Sequence, residues 1–223
     1  MSLAIDIVSD VVCPWCYIGK RHLERALELY RERHPDADAP EVNWHPFQLN
    51  PQLPAAGMPR AEYTATKFGG PERAKEVYAR VAAAGVNAGI AFDFDSIAVQ
   101  PNTVDAHRLI LRAGQQDRQE EMVETLFRAY FLESRDLTQA DVLTELAQRA
   151  GMPADEARQY LDSDEDREEI RKEDQRARQI GVEGVPFFIF NRKFAVSGAQ
   201  PPEILVEAME RAEAESDVLA ATQ

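Results

Sequence analysis

The chain of 223 residues has very few cysteines and no long apolar run. Its two cysteines, Cys13 and Cys16, are so close in sequence that a disulfide between them would add little as a structural cross-link. No apolar run approaches the roughly 18–20 residues of a membrane-spanning helix, so no membrane association is expected. The segment Met1–Asp6 lacks the basic start and longer apolar run of a secretory signal, which favours a cytoplasmic location.

Basic side chains are also scarce relative to acidic ones. The chain has 25 Lys and Arg residues against 39 Asp and Glu residues, for a formal net charge of -14. A surface of this sign repels phosphate groups, so nucleic acids are not expected as partners. The 44% of hydrophobic residues and 29% of charged residues are typical of a globular protein.

The N-terminal region has a strand–helix–strand pattern. Leu3–Val8 is an apolar, β-branched run typical of a buried strand. From Pro14 to about His34 the apolar residues recur with helical spacing. Glu41–Leu49 then predicts a second strand, and Pro46 within it favours a sheet edge or a bulge.

Strand patterns return near the C-terminus. The runs Phe187–Phe190 and Lys193–Val196 are separated by Asn191 and Arg192, which predicts a hairpin. A final amphipathic helix is expected from Pro201 to about Glu215. The chain therefore ends in a strand–strand–helix unit.

The middle of the chain, from Arg60 to about Gly181, has helical patterns throughout. One helix is expected from Asn102, a plausible cap, to Ala113. Thr138–Asp141 and Ser163–Asp166 resemble capping boxes with Asp in the last position. The charged stretch Asp162–Arg178 predicts one long solvated helix.

Strands at both chain ends, separated by helices, predict an α/β fold in which the order β-α-β … β-β-α is interrupted by an all-helical insertion. The expected boundaries are residues 1–59 and 182–223 for the sheet-bearing domain. Residues 60–181 would then form the inserted helical lid.

The cysteine pair opens the first predicted helix. With Cys13 as N-cap, Pro14 is the first helical residue, and the Cys16 sulfur comes within bonding reach of the Cys13 sulfur. The free N–H groups of the helix end should stabilise a Cys13 thiolate and lower its pKa from about 8.5. Cys16, one turn further, should be more buried and act as the resolving thiol, while Trp15 should lie on the rim beside the substrate.

Zinc binding is the main alternative use of such a pair. A zinc site needs two further thiolate or imidazole ligands. The chain has no other cysteine, and its four histidines lack a ligand spacing; they are His22, His34, His45 and His107. We therefore expect no metal and no cofactor other than the dithiol itself.

A second candidate functional segment is Gly184-Val185-Pro186, which leads into the predicted strand at Phe187. Proline is tolerated at the first position of a strand, where no N–H is needed for pairing. The sequence alone leaves open whether the Val185–Pro186 bond is cis or an ordinary trans bond.

The chain resembles the DsbA-like branch of the thioredoxin superfamily, and specifically its cytoplasmic FrnE-type group. The resemblance is carried by four segments: Asp10–Lys20 (DVVCPWCYIGK), Pro101–Arg108 (PNTVDAHR), Gly184–Phe188 (GVPFF) and Val196–Pro201 (VSGAQP). It covers nearly the whole chain and implies a thioredoxin fold interrupted by a helical domain.

The resemblance also implies site roles. Cys13 would be the attacking thiol, Cys16 the resolving thiol and Pro186 a cis proline beside them. Val185 would offer backbone groups to an extended substrate segment. The residues between the cysteines are Pro-Trp rather than the Pro-His of periplasmic DsbA, so one cation that could stabilise the thiolate is missing. Reduction or isomerisation of disulfides is then as plausible as oxidation.

Other residues allow two interpretations. His107 would line the substrate cleft or be a satisfied core histidine, and His45 would face the site or be structural. Asp10 would accept a proton during exchange or make a turn hydrogen bond. The aromatic residues would form an apolar cleft or belong to the core; they are Tyr17, Phe68, Tyr130 and Phe131.

The leading functional hypothesis is thiol–disulfide exchange with disulfide or dithiol proteins, or with small thiols. The sequence leaves the oligomeric state open, and a homodimer is possible. One alternative is a glutathione-dependent isomerase or transferase of the kappa or hydroxychromene-carboxylate type, although these relatives usually carry Ser where Cys13 stands. Another is a protein that binds apolar metabolites or acts as a holdase.

Overall fold

The computed structural model describes residues 3–221, and the side chains of residues 3–215. The chain forms regular strands and helices. In chain order they are β1 (Ala4–Ser9), α1 (Pro14–Arg33), β2 (Glu41–Pro46), β3 (Met58–Pro59), α2 (Arg60–Phe68), α3 (Pro71–Asn87), β4 (Val99–Gln100), α4 (Val104–Gly114), α5 (Gln119–Phe131), α6 (Ala140–Arg149), α7 (Ala154–Asp162), α8 (Arg167–Gln179), β5 (Phe187–Phe190), β6 (Phe194–Ser197) and α9 (Pro202–Ala221).

Strands from the two ends of the chain share one sheet, in the order β2-β1-β5-β6. The central strand β1 runs parallel to β2, with Ile5 opposite Val42, and antiparallel to β5, with Ile7 opposite Phe188. Strands β5 and β6 form the antiparallel hairpin that the sequence predicts. This arrangement confirms the α/β prediction of one sheet built from both chain ends.

The strand β2 is shorter than its sequence indicates. It ends at Pro46 rather than Leu49 and lies at the sheet edge, as the proline predicts. After Pro46, two backbone N–H groups donate to side-chain carboxylates instead of to a neighbouring strand. The N–H of Gln48 donates to Asp174 at 2.7 Å, and the N–H of Leu49 donates to Asp10 at 2.8 Å. These bonds turn the chain away from the sheet.

The helix predicted over Asp162–Arg178 is confirmed as α8, but it begins only at Arg167, because the chain breaks between α7 and α8. Asp166 has a φ of 61°, in the left-handed region. The buried guanidinium of Arg108 holds the break by donating to the carbonyl oxygens of Tyr160 and Ser163 at 2.6 and 2.9 Å, and to that of Glu165 at 2.6 Å. A distant residue therefore satisfies carbonyls that a continuous helix would have used.

The two predicted capping boxes are wrong. The Thr138 hydroxyl donates to Asp136 at 2.7 Å, and α6 begins without a side-chain cap. Ser163 bonds within the turn, where its hydroxyl donates to the Tyr160 carbonyl. Asn102 lies one residue before the N-cap, which is Thr103, and its side-chain oxygen accepts from the N–H of Val104 at 3.0 Å.

At the start of the helical region, β3 and β4 pair in a two-stranded ribbon that the sequence did not indicate. A continuous apolar core joins this region to the sheet, and Tyr17 of α1 stacks on Phe127 of α5 at 5.0 Å. The division at residues 60 and 181 stays a prediction. Among the helices described, none is long and apolar enough to cross a membrane.

Candidate active site

The cysteine pair lies where β1 passes into α1. Cys13 is the N-cap of the helix, with φ -93° and ψ 111°, and Pro14 occupies its first turn. The turn is closed by the N–H of Cys13, which donates to the Asp10 carbonyl at 3.0 Å. The N–H of Cys16 in turn donates to the Cys13 carbonyl at 3.0 Å. Both cysteines carry free thiols.

The Cys13 thiol is set up to ionise. Its pKa is lowered from the ordinary value, chiefly because the Cys16 side chain donates a hydrogen bond to its sulfur. Burial and the charge of Asp10 oppose this lowering of the pKa. The backbone N–H groups of Cys16 and Trp15 favour it. The helix N–H groups therefore act as the sequence predicts, but the neighbouring thiol contributes more.

The Cys16 thiol is held protonated. Its pKa is raised well above the ordinary value, first by burial and then by the hydrogen bond to Cys13 and the charge of that sulfur. The Ser9 side chain and the Asp10 backbone oppose this rise in pKa only in part. The two thiols therefore differ in acidity, with the acidic one at the N-cap.

Access to the two sulfurs is limited. Cys13 is 5% exposed and Cys16 is fully buried, so the N-cap thiol is the more accessible one by a small margin. Trp15 is 42% exposed and lies on the surface, where the sequence places it. Pro14 is half-buried beside it.

A second segment meets the cysteines from the far end of the chain. The Val185–Pro186 peptide bond is cis, and the Cys13 sulfur lies 3.5 Å from the Val185 carbonyl oxygen. Pro186 also packs on α1 at Gly19, where an added Cβ would lie 2.9 Å from the proline Cγ. A glycine at this position lets the helix approach the proline ring closely.

His107 and Asp10 lie behind the turn, in the core. Asp10 is fully buried, and its carboxylate accepts from the N–H of Leu49 at 2.8 Å. The His107 ring is 3% exposed, and its Nε2 lies 3.2 Å from the Phe47 carbonyl oxygen and 3.4 Å from the Asp10 carboxylate. His107 also lines a cavity of about 400 Å³. These contacts favour the structural interpretation of both residues over a substrate contact by His107.

The remaining candidates are distributed between core and surface. His45 pairs with Asp6 at 3.0 Å across β1 and β2. Three aromatic candidates are fully buried: Tyr17, Tyr130 and Phe131. Phe68 is half-buried and contacts Tyr78 with 5.5 Å between ring centres. Tyr17, Tyr130 and Phe131 therefore belong to the core.

Sequence reasoning missed Ser9 and Arg60. Ser9 contacts Cys16, and Arg60 is a buried cation among tyrosines. Neither stands in a recognisable motif, and their importance depends on contacts between distant segments. Within the described residues, the acidic, histidine and cysteine side chains form no group of three or more that would suit a metal ion.

Comparison with known proteins places this geometry in a family. The model of the DSBA-like thioredoxin domain matches residues 4–210. The crystal structure of a probable DsbA oxidoreductase from Streptomyces coelicolor is 32% identical, with a TM-score of 0.87 over 96% of this chain and 91% of that one. An uncharacterized protein of Bacillus subtilis, YwbO, is 27% identical over 68% of each chain.

More distant proteins share the fold. A cytosolic disulfide reductase from Pseudomonas aeruginosa, DsbM, solved with GSH, is 16% identical, with a TM-score of 0.62 over 98% of this chain and 99% of that one. The family match covers the sheet, the cysteine turn, the helical region and the Val185–Pro186 segment. This chain therefore belongs to the DSBA-like thioredoxin domain family.

Proposed function

We propose that this protein is a thiol–disulfide oxidoreductase that works through the Cys13–Cys16 pair. The observation that carries the proposal is the position of the pair: Cys13 is the N-cap of α1, 3.5 Å from the Val185 carbonyl oxygen, and Cys16 is fully buried one turn further. This position lowers the pKa of Cys13 and raises that of Cys16. A nucleophilic thiolate beside a protonated neighbour is what disulfide exchange needs. The dithiol itself would be the redox group, without a further cofactor.

In the reducing direction, the Cys13 thiolate attacks one sulfur of a substrate disulfide. A Cys13–substrate S–S bond forms, the substrate S–S bond breaks, and the second substrate sulfur leaves as a thiolate that takes up a proton. Cys16 then loses its proton and attacks the Cys13 sulfur, which releases the first substrate sulfur. The substrate gains two electrons, and the enzyme ends with a Cys13–Cys16 disulfide. The reverse sequence oxidises a dithiol.

The Val185 carbonyl would take part in substrate binding. In the reduced protein its neighbour is the Cys13 thiol, at 3.5 Å. Neither the Cys13 thiolate nor a mixed disulfide at Cys13 has a proton to donate, so in both forms this carbonyl is free to accept an N–H from an extended substrate segment. Exposed Trp15, with Pro14, would contact the same substrate from the helix side.

The cytosolic description of the Pseudomonas aeruginosa relative supports a cytoplasmic location for this protein too, where reduction of protein or small-molecule disulfides would be the favoured direction. An isomerase that activates a bound thiol is less well supported. Such a reaction has no use for a buried second cysteine beside the first.

The test is the redox equilibrium of the purified protein with glutathione. The protein is equilibrated over a series of ratios of reduced to oxidised glutathione, alkylated, and analysed by mass spectrometry. We expect a two-electron transition between the dithiol and an intramolecular disulfide. Cysteines that stay reduced at every ratio, or that accumulate only a stable glutathione adduct, would contradict the proposal.

A further inference from the structure

A buried arginine in the helical region is surrounded by neutral groups. Arg60, the first residue of α2, is 7% exposed. Its Nη1 donates to the Gln100 side-chain oxygen and to the Tyr130 hydroxyl, both at 2.7 Å, and its Nη2 donates to the Tyr78 hydroxyl at 2.8 Å. The guanidinium carbon also lies 5.0 and 5.8 Å from the ring centres of Tyr78 and Tyr130. The cation is therefore held in one orientation.

Arg60 lacks a counter-charge in the part of the chain whose side chains are described. A guanidinium has five N–H donors, and its hydrogen bonds here use three of them. The other buried arginine of the helical region, Arg108, differs in this respect, because it pairs with Asp105 at 2.7 Å. Buried charges are normally paired, since desolvation without a partner is costly. Arg60 thus has both the charge and the free donors to bind an anion.

The side chain of Arg60 opens onto a cavity of about 720 Å³ between α2, α3 and the loop before β4. Tyr78 lines the same cavity, and Phe92 gives it an apolar wall. Lys75 adds an exposed cation, and the acidic side chains that line it, Asp93 and Asp95, are also exposed. The cavity has the size of a small-molecule site, with the buried charge of Arg60 in its wall.

Tyr78 connects this cavity with the cysteine pair. Its hydroxyl accepts the hydrogen bond from Arg60, and it is close enough to Cys13 for the sulfur's charge to act on it. Burial is the main cause that raises the pKa of Tyr78, and the charge of Cys13 adds to it. Phe92 in the cavity wall also contacts Tyr17 of α1, with 6.2 Å between ring centres, and the N–H of Tyr17 donates to the Cys13 carbonyl at 3.4 Å. A ligand anchored at Arg60 would therefore lie beside the helical turn that begins at Cys13.

We propose that Arg60 binds a carboxylate of a small thiol or disulfide substrate that occupies this cavity and presents its sulfur to Cys13. The inference rests on the proposed thiol–disulfide exchange and specifies its substrate class. A guanidinium suits this role because its planar set of donors matches a carboxylate, which the ammonium of a lysine does not.

Binding can be measured without thiol chemistry. Suberate has two carboxylates and the chain length of 3,3′-dithiodipropionate, with a CH₂–CH₂ unit in place of the disulfide. Isothermal titration of the full chain with suberate should show binding that is at least about tenfold weaker in Arg60→Gln, because a charge-assisted hydrogen bond is lost. Arg80→Gln is the matched control, since Arg80 is an exposed arginine of α3, and it should bind like wild type.

Arg60→Lys keeps the charge and provides the comparison if Arg60→Gln does not fold. We expect it to bind suberate about threefold more weakly than wild type, because a lysine cannot bind a carboxylate in the bidentate mode. Absence of suberate binding by wild type, or equal affinity in wild type and the folded Arg60 variants, would overturn the proposal.

Exchange kinetics separate this inference from the proposed function. Wild type should prefer 3,3′-dithiodipropionate over its uncharged dimethyl ester. Arg60→Gln should lose about tenfold of that preference through a higher KM for the diacid, and Arg80→Gln should keep it. If wild type forms no intramolecular disulfide in the glutathione equilibrium, the proposed function fails, and suberate binding still decides the Arg60 site. If wild type exchanges with both and the preference is the same in Arg60→Gln, the Arg60 site fails and the function stands.

Discussion

The Cys13 sulfur lies 3.5 Å from the Val185 carbonyl oxygen, although 172 positions separate the two residues. The central pairing of β1 with β5 brings them together, because the first strand leads into Cys13 and the later strand begins just after Pro186. The site is therefore assembled at one end of the sheet from the two ends of the chain.

Gly19→Ala should disturb this assembly. The new Cβ would lie 2.9 Å from the Pro186 Cγ and 3.2 Å from the Phe188 ring. Alanine improves helix propensity by up to about 1 kcal/mol, but overpacking costs about 1–3 kcal/mol. We expect net destabilisation of about 1 kcal/mol in urea unfolding, with slower disulfide exchange.

Gly184→Ala is the control, because no atom lies within 4 Å of its added Cβ. Its unfolding free energy should stay within about 0.5 kcal/mol of wild type. Equal exchange rates in wild type and Gly19→Ala would show that the position of Pro186 does not matter for the reaction.

Asp10→Asn should lower the pKa of Cys13 further. The Asp10 charge is one of the causes that raise the Cys13 pKa, and asparagine keeps an oxygen for the N–H of Leu49. The pH profile of iodoacetamide alkylation at Cys13 should therefore shift to lower pH. Asp6→Asn, which removes a carboxylate paired with His45 instead, should leave the profile unchanged. A shift of the Asp10→Asn profile to higher pH would contradict the assigned charge effect.

Lys20→Met should destabilise the packing of α1 against α5. Lys20 is 2% exposed and meets the carboxylates of Glu24, Glu120 and Glu124, the last two at 2.6 and 3.0 Å. Removing the ammonium leaves Glu120 without its cation and leaves Glu24 and Glu124 paired with Arg21 alone. Because these carboxylates are partly exposed to solvent, we expect a loss of about 1–3 kcal/mol of unfolding free energy. Arg25→Met, which removes one partner of a solvent-exposed pair, should leave the unfolding free energy close to that of wild type.

The same cluster predicts a pH dependence. Burial alone would raise the pKa of Glu124, but Lys20 and Arg21 hold it below the ordinary carboxyl value. The stabilisation that follows is present above the unfolded-state pKa and is lost as the pH falls through the folded-state pKa. The urea midpoint of wild type should therefore fall on acidification, and that of Lys20→Met should fall less. Parallel pH profiles would contradict this role of Lys20.

Local patterns were sufficient for the main features of the fold and the cysteine turn. The period of apolar residues defined β1 and α1, and Pro46 correctly indicated an edge strand. The break after Asp162 could not be predicted, because it depends on Arg108, more than fifty positions earlier. The same holds for Arg60, because its lack of a carboxylate partner among residues 3–215 depends on the folded chain and not on a short motif.

The most direct test of the proposed division between the two cysteines is trapping of mixed disulfides. Cys13→Ser and Cys16→Ser are each treated with a model disulfide and analysed by non-reducing mass spectrometry. We expect adducts on Cys16→Ser, whose remaining thiol attacks but cannot be resolved, and none on Cys13→Ser, since a hydroxyl is not ionised near neutral pH and the remaining Cys16 thiol is buried. Adducts on Cys13→Ser alone would reverse the roles, and equal adducts on both would contradict the assignment of Cys13 as the attacking thiol.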